Sequence, residues 1–284
     1  MKKYVYQPET GMEDFERCVE ILRQGHRVVR EWVNNLPSEV LAAIQEGFNK
    51  YGIPVRALYV NPEDYRQYRA GYIERYPDYY KDYLPEKSLE HFIALKLLEI
   101  DSTDIFIDVA SENSPVPDIY SQLTGCKSYR QDIMYAPGIV GDRIGGNACE
   151  MPVPDQFASK VALTCSLEHF EGIEDQKLFF EFNRVLKPGG KICVVPLYMY
   201  TVPANQTDPT VSVPNNVDFD PNVTVYCAER WGNRFGRFYS VETFMERIYE
   251  PTRTLLNFEV FRIMNPTEVD PNIYARFALI ATKK

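Results

Sequence analysis

At 284 residues the chain is long enough for one large domain, or a core domain with an appendage, and its 45% hydrophobic and 25% charged content is that of an ordinary soluble globular protein. A net charge of −9 argues against non-specific binding to phosphate backbones, so no nucleic-acid partner is expected. No segment approaches the roughly 20 apolar residues of a membrane span, and the opening MKKYVYQPET lacks the apolar run of a signal peptide. Six cysteines, at 18, 126, 149, 165, 193 and 227, form no Cys-x-x-Cys pair, and three histidines lie far apart. They read as free thiols of a cytoplasmic chain with no metal-ligand cluster.

Residues 1–100 read as mostly helical. Phe15, Val19, Leu22, Val29, Val33 and Leu36 trace one helical face across 13–36. Val40, Leu41, Ile44 and Phe48 trace a second, between Pro37 and Tyr51-Gly52. Residues 53–60 are either a strand or an extended connector. Asn61-Pro62-Glu63-Asp64 is a helix start, with a capping side chain, proline at the first position and acids in the first turn. Tyrosines follow at 65, 68, 72, 76, 79, 80 and 83, most on one face, with Pro77 as a break. Two readings are open for them: a stacking wall over a sugar or aromatic acceptor, in which Tyr72 touches substrate, or a packing face with wet hydroxyls. Leu89, Phe92, Ile93, Lys96, Leu97 and Ile100 mark a further helix.

Residues 104–110, DIFIDVA, read as a buried strand, 117–123 as a short helix stopped by Gly125, and 126–132 as a second strand. The glycines and prolines of 133–146 read as loop. Residues 161–167 are a short apolar run, too short for a helix. Leu178, Phe179, Phe182, Val185 and Leu186 give one helical stripe, stopped by Pro188-Gly189-Gly190, and 192–198 are a buried strand again. A strand, a crossover helix and a strand make a parallel β-α-β unit, and ligands of such sheets lie beyond the strands' carboxyl ends. Leu167-Glu168-His169-Phe170 therefore fall on the functional edge. Residues 201–239 begin irregularly and end in a basic, aromatic run holding Arg230, Arg234 and Arg237. A helix opens at Ser240 with an imperfect capping box, and 255–263 and 273–282 read as two closing strands.

The run LEHF, then RVLKPGGK, then a buried strand resembles the class I S-adenosylmethionine-dependent methyltransferases of the small-molecule branch. Gly146-Asn147-Ala148-Cys149-Glu150-Met151-Pro152-Val153-Pro154-Asp155 resembles that family's "GDAexLPFPD" segment. The likeness covers roughly Asp104 to Tyr200. It implies S-adenosylmethionine as cofactor, in-line displacement of its methyl by an acceptor oxygen or nitrogen, and no metal. It implies cofactor contacts at Asp108, Ala110, Ser111, Glu112, Ser114, Asp132, Asn147, Ala148 and Cys165. Asp132 would take the ribose hydroxyls, unless it is a solvated turn aspartate, and Asn147 would hold the adenine amino group.

One departure stands out: the family's glycine-rich loop is here Ala110-Ser111-Glu112-Asn113-Ser114. Either this loop takes another path, with Glu112 bonding the cofactor's ammonium, or binding is weakened or lost. His169, beside Glu168, is either a general base or a structural histidine. Arg230, Arg234 and Arg237 either clamp a phosphate, carboxylate or nucleotide-sugar or pair with nearby acids.

The expected architecture is an α/β, Rossmann-like, seven-stranded and mostly parallel sheet with the last strand antiparallel. A helical N-terminal cap over 1–85 precedes a core over 86–284, with a loop insertion at 201–239. The expected function is methyl transfer to a small-molecule or sugar acceptor, with no nucleic-acid or membrane partner and with a homodimer compatible. The alternatives are a non-catalytic binding or assembly protein, or another reaction on the same fold.

Overall fold

The computed structural model describes residues 14–33, 36–73, 75–80 and 84–284. The opening MKKYVYQPET and Tyr83 lie outside these residues. The described strands are β1 (Arg27–Val29), β2 (Val55–Leu58), β3 (Ile105–Val109), β4 (Lys127–Asp132), β5 (Gly138–Val140), β6 (Arg143–Gly145) and β7 (Ala158–Thr164), followed by β8 (Leu186–Val195), β9 (Ala204–Thr207), β10 (Thr224–Cys227), β11 (Gly236–Phe238), β12 (Leu256–Ile263) and β13 (Phe277–Lys283). The longer helices are α1 (Phe15–Arg23), α2 (Ser38–Lys50) and α3 (Pro62–Ile73), then α4 (Pro77–Tyr80), which is short, α5 (Leu84–Leu98), α6 (Val116–Thr124) and α7 (Glu174–Val185).

Nine strands form the main sheet in the order β2-β12-β13-β8-β7-β3-β4-β6-β5. From β8 through β6 all neighbours are parallel, and β13 runs antiparallel to both β8 and β12. The sheet therefore has nine strands rather than the expected seven, with β2 and β5 at its two edges. Side-chain alternation along β3, β7 and β8 splits the core into two layers. Ile107, Val161, Leu163, Ile192 and Val194 pack against Leu178, Phe179 and Phe182 of α7. Phe106, Ala162, Cys193 and Val195 pack on the other face against Leu89, Phe92 and Ile93 of α5 and Val116, Ile119 and Tyr120 of α6. Each fully buried Leu or Phe here stabilises the fold by about 1.5–3 kcal/mol. The arrangement is the expected three-layer, Rossmann-like one.

Four expectations are corrected. The face traced across 13–36 does not stay helical: α1 ends at Arg23, and Arg27–Val29 become β1, parallel to β10. The β-branched pair Val28-Val29 lies just past Gly25 and suits a strand better than a helix. Residues 55–58 are a strand, so the N-terminal segment adds strands to both sheets and is not helical alone. The 133–146 stretch is a hairpin, β5–β6, whose β6 pairs parallel with β4. Its glycines serve close packing: a Cβ at Gly145 would come within 1.9 Å of the Ala136 carbonyl oxygen.

The fourth correction concerns 201–239, which is not irregular. It builds a second, four-stranded sheet in the order β1-β10-β9-β11. Phe15, Val19 and Leu22 of α1 cover Val225 and Cys227 of that sheet. The capping box at Ser240 is complete, with Thr243 N donating to Ser240 Oγ at 3.2 Å and Ser240 N to Thr243 Oγ1 at 2.8 Å.

Candidate functional site

The parallel strands β3, β4, β6, β7 and β8 end on one rim. α5 packs on β7 and β8 and runs the opposite way. Lys160 at the start of β7 donates to the Leu98 carbonyl at the end of α5, at 2.7 Å. The amino end of α5, around Glu86–His91, therefore stands over the rim.

The loop after β3 makes a left-handed turn without glycine. Ala110 has φ 54° and Glu112 φ 46°, a conformation costing a non-glycine residue about 1–2 kcal/mol each. Three bonds hold it: Ser111 N to Gln131 O at 2.9 Å, Glu112 N to Asp132 Oδ2 at 2.8 Å, and Ser114 N to Ser111 O at 2.7 Å. The backbone thus takes a positive-φ path natural to glycine, and the Glu112 side chain is exposed rather than folded into the rim.

Asp132 is mostly buried and anchors this loop, its Oδ1 accepting from Met134 N at 2.9 Å. Each oxygen keeps a second lone pair for a hydroxyl. Asn147 Oδ1 accepts from Cys149 N at 2.9 Å and caps the turn that buries Ala148.

Asp108, at the end of β3, is 1% exposed. Among the described residues neither of its oxygens, nor Ser111 Oγ, meets a hydrogen bond of proper geometry. Burial lifts its carboxyl to about 6, against a smaller downward pull from the Ser114 and Ser111 hydroxyls. The two serine hydroxyls answer this buried carboxyl only weakly, which leaves it acceptor capacity for a cation or hydroxyl from outside the chain.

At the end of β7, Cys165 Sγ lies 3.2 Å from Tyr198 Oη and 3.9 Å from Tyr274 Oη. These two rings stack at 6.3 Å. Burial raises the Cys165 thiol well above its ordinary value, so it is no nucleophile at neutral pH. Glu168 is buried with Oε1 3.6 Å from His169 Nε2, and its Oε2 is unpartnered among the described residues. β11 packs against this turn. His169 Nδ1 lies 2.6 Å from the Phe235 carbonyl oxygen, which only a protonated Nδ1 can satisfy. The neutral ring then keeps its lone pair on Nε2, toward Glu168. His169 is 38% exposed, and the Trp231 ring sits 6.0 Å away.

Sequence reasoning missed Lys87 and Glu90, and named Tyr79 only as one of the tyrosine stretch. Lys87 Nζ bonds Glu90 Oε2 at 3.1 Å, and Glu90 is 0% exposed. Burial lifts the Glu90 carboxyl to about 7, the Glu168 charge adding to this and Lys87 opposing it. Glu86 is lifted to about 8 by burial although Tyr274 N and Ala275 N donate to it at 2.7 and 3.0 Å. Tyr79 stacks on His91 at 5.9 Å. The available signal was the charged run Glu86-Lys87 and Glu90-His91 inside a helix whose apolar residues leave no clean polar face.

The arginines are dispersed. Arg237 is 2% exposed and donates to both oxygens of Asp220 at 2.7 Å, to Phe170 O at 2.6 Å and to Gly172 O at 3.0 Å. It lies 3.2 Å from Asp175, which also takes two bonds from Arg247 at 2.6 and 2.9 Å. This setting corrects the clamp expectation for Arg237: its donors are spent on the protein. Arg234 Nε lies 2.7 Å from Glu171, and Arg230 is 91% exposed, 4.0 Å from Glu229. Tyr72 lines a cleft of about 640 Å³ with Lys96, Glu99 and Leu123 at the other end of α5, away from the rim. Tyr65, Tyr68 and Tyr80 are buried, which is the packing reading of the tyrosine stretch.

Residues 89–194 match the family model described as a methyltransferase domain. Over this stretch, a little over a third of the chain, the sequence is similar to a methyltransferase domain. The resemblance drawn from LEHF and RVLKPGGK is met over these residues. No curated protein matches the chain. Among solved structures, the chain is similar to the 1,6-didemethyltoxoflavin-N1-methyltransferase of Burkholderia thailandensis, solved with its namesake ligand and S-adenosylhomocysteine, at 13% identity and TM-score 0.48, over 81% of this chain and 93% of that one. It is similar to a possible histamine N-methyltransferase of Thermotoga maritima at 15% identity and TM-score 0.44, over 77% and 99%. A putative methyltransferase complexed with the Trm112 activator of Haloferax volcanii gives 10% identity and TM-score 0.45, over 84% and 96%. Likenesses this distant carry no weight for the activity. Among the described residues no helix is long and apolar enough to cross a membrane, and no group of three His, Cys, Asp or Glu side chains is placed to hold a metal ion.

Proposed function

We propose that the chain transfers a methyl group from S-adenosylmethionine to a small-molecule or sugar acceptor, at oxygen or nitrogen. When bound, the cofactor supplies a methyl activated on a sulfonium. The unpartnered oxygens of Asp108 and the Ser111 hydroxyl, beside the left-handed turn of 110–112, carry this reading. They offer acceptors to an ammonium, while Ser114 lines the turn and the exposed Glu112 stays clear of a bound carboxylate. Asp132 has lone pairs left for ribose hydroxyls, and Asn147 and Ala148 flank the adenine end. Cys165 stands at the end of the central strand.

His169 takes the acceptor's proton at Nε2, its ring fixed by the Phe235 carbonyl and its positive charge then balanced by Glu168. The Trp231 ring stands beside this imidazole, 6.0 Å away. Exposed Arg230, and Arg234 held by Glu171, are the contacts proposed for an anionic part of the acceptor. Titration calorimetry of the whole chain with S-adenosylhomocysteine tests the reading. Saturable one-site heat is the expected result. No heat at millimolar ligand leaves a binding or assembly role in its place.

A further inference from the structure

The rim holds more unpartnered negative charge than a cofactor at β3 uses. Glu90 comes from α5 and Glu168 from the turn after β7, and the two carboxylates lie close enough for the Glu168 charge to act on Glu90. Among the described residues Glu90 Oε1 and Glu168 Oε2 are both buried with no hydrogen-bond partner. Cys165 lies near both; its protonated thiol adds no charge and gives Glu90 only a weak donor. The stacked rings of Tyr198 and Tyr274 turn their hydroxyls to Cys165 beside these carboxylates. Lys87 offsets one carboxylate, through Glu90 Oε2. His169 Nε2 lies 3.6 Å from Oε1 of Glu168, the other oxygen, and leaves Oε2 open.

We propose that the space between Glu90 and Glu168 takes the ammonium group of an amine, so that the methyl acceptor is an amine nitrogen rather than a sugar hydroxyl. Neutral hydroxyls donate to carboxylates but leave the second buried charge uncompensated, whereas an ammonium supplies three donors and the missing positive charge. Two carboxylates with aromatic rings beside them make a setting that favours cations over neutral isosteres. Glu168 then serves a second purpose. It holds the ammonium at Oε2 while one N–H proton passes to His169 Nε2, which frees the nitrogen lone pair for the methyl.

This deepens the methyl-transfer reading and rests on it for the word acceptor, but the ammonium site is testable by itself. Calorimetry on the whole chain compares butylamine with butanol, and phenethylamine with phenethyl alcohol. One charge-assisted hydrogen bond corresponds to about a tenfold difference, so each amine binds at least about tenfold more tightly than its alcohol. In Glu90→Gln and in Glu168→Gln that preference shrinks to about threefold or less, while S-adenosylhomocysteine affinity stays within about twofold of wild type. Equal binding of amine and alcohol by the wild type overturns the proposal, as does no binding of any amine. A variant that loses S-adenosylhomocysteine but keeps the amine preference also overturns it, because the carboxylates then serve the cofactor's own ammonium. Amine binding without any S-adenosylhomocysteine binding upholds the ammonium site and removes the methyl-transfer reading.

Discussion

Buried charge is handled in opposite ways in two parts of this molecule. Beneath the second sheet, Arg237 and Arg247 meet Asp175 and Asp220, and backbone carbonyls of 170 and 172 take the remaining donors. At the rim of the main sheet, Asp108, Glu90 and Glu168 keep oxygens that no described residue answers. The first arrangement is complete without a visitor and braces the joint between α7 and the 201–239 region. The second is complete only with one. A closed ledger of donors and acceptors marks framework, and an open one marks a place where something binds.

The comparison can be broken most directly at the brace. Arg237→Met removes the cation from between Asp175 and Asp220 and is expected to cost about 3–5 kcal/mol in urea unfolding. Unfolding at the wild-type urea concentration would make the brace no more structural than the rim. Next in size, His169→Ala is expected to lower transfer of labelled methyl by about 100-fold with S-adenosylhomocysteine affinity unchanged. A fall in affinity with the rate intact would return His169 to a structural role.

A smaller effect separates the two regions by the sign of their pH dependence. Glu90 is raised in the fold to about 7, so its contribution is full below the ordinary glutamate range and is lost as pH rises through 7. Asp220 is lowered in the fold, its burial outweighed by the Arg237 bonds, so its contribution is present above the ordinary aspartate range and is lost as pH falls through its folded value. Stability without ligand is therefore expected to decline as pH rises from about 5 to about 8, and Glu90→Gln to flatten that decline. An unchanged slope in Glu90→Gln removes Glu90 from the titrating set. Smallest of all, Glu112→Gly relieves one left-handed residue and is expected to add about 1 kcal/mol of stability. Destabilisation would mean that the Glu112 side chain has a role its exposure hides.

Legibility from sequence followed element length and periodicity. The unit β7-α7-β8 was readable because its apolar runs and helical stripe are long enough to have a period. The hairpin β5–β6 was not, since strands of three residues bounded by Gly138, Gly141 and Gly145 look like turn chemistry. The second sheet escaped for the same reason, with prolines 203, 209, 214 and 221 scattered among its short strands. At the site, Asp108 and His169 were found because they end core strands. Glu90 was passed over because a glutamate in a helix usually faces water, and only the packing of α5 on β7 and β8 turns it inward. The arginines at 234 and 237 attracted notice as a local cluster, but their acids come from 171, 175 and 220, which adjacency in sequence does not show.

The edge strand β2 has a consequence for synthesis. It pairs with β12, and Asn265 clasps both the amide and the carbonyl of Val60 at 2.9 Å across 205 residues of chain. At about 5–20 residues per second, a ribosome makes the early strand wait ten seconds or more for its neighbour to emerge. During that interval Val55–Leu58 is an unzipped ribbon in a crowded cell, and a chaperone that shields it would raise the yield of native molecules without touching the mature structure.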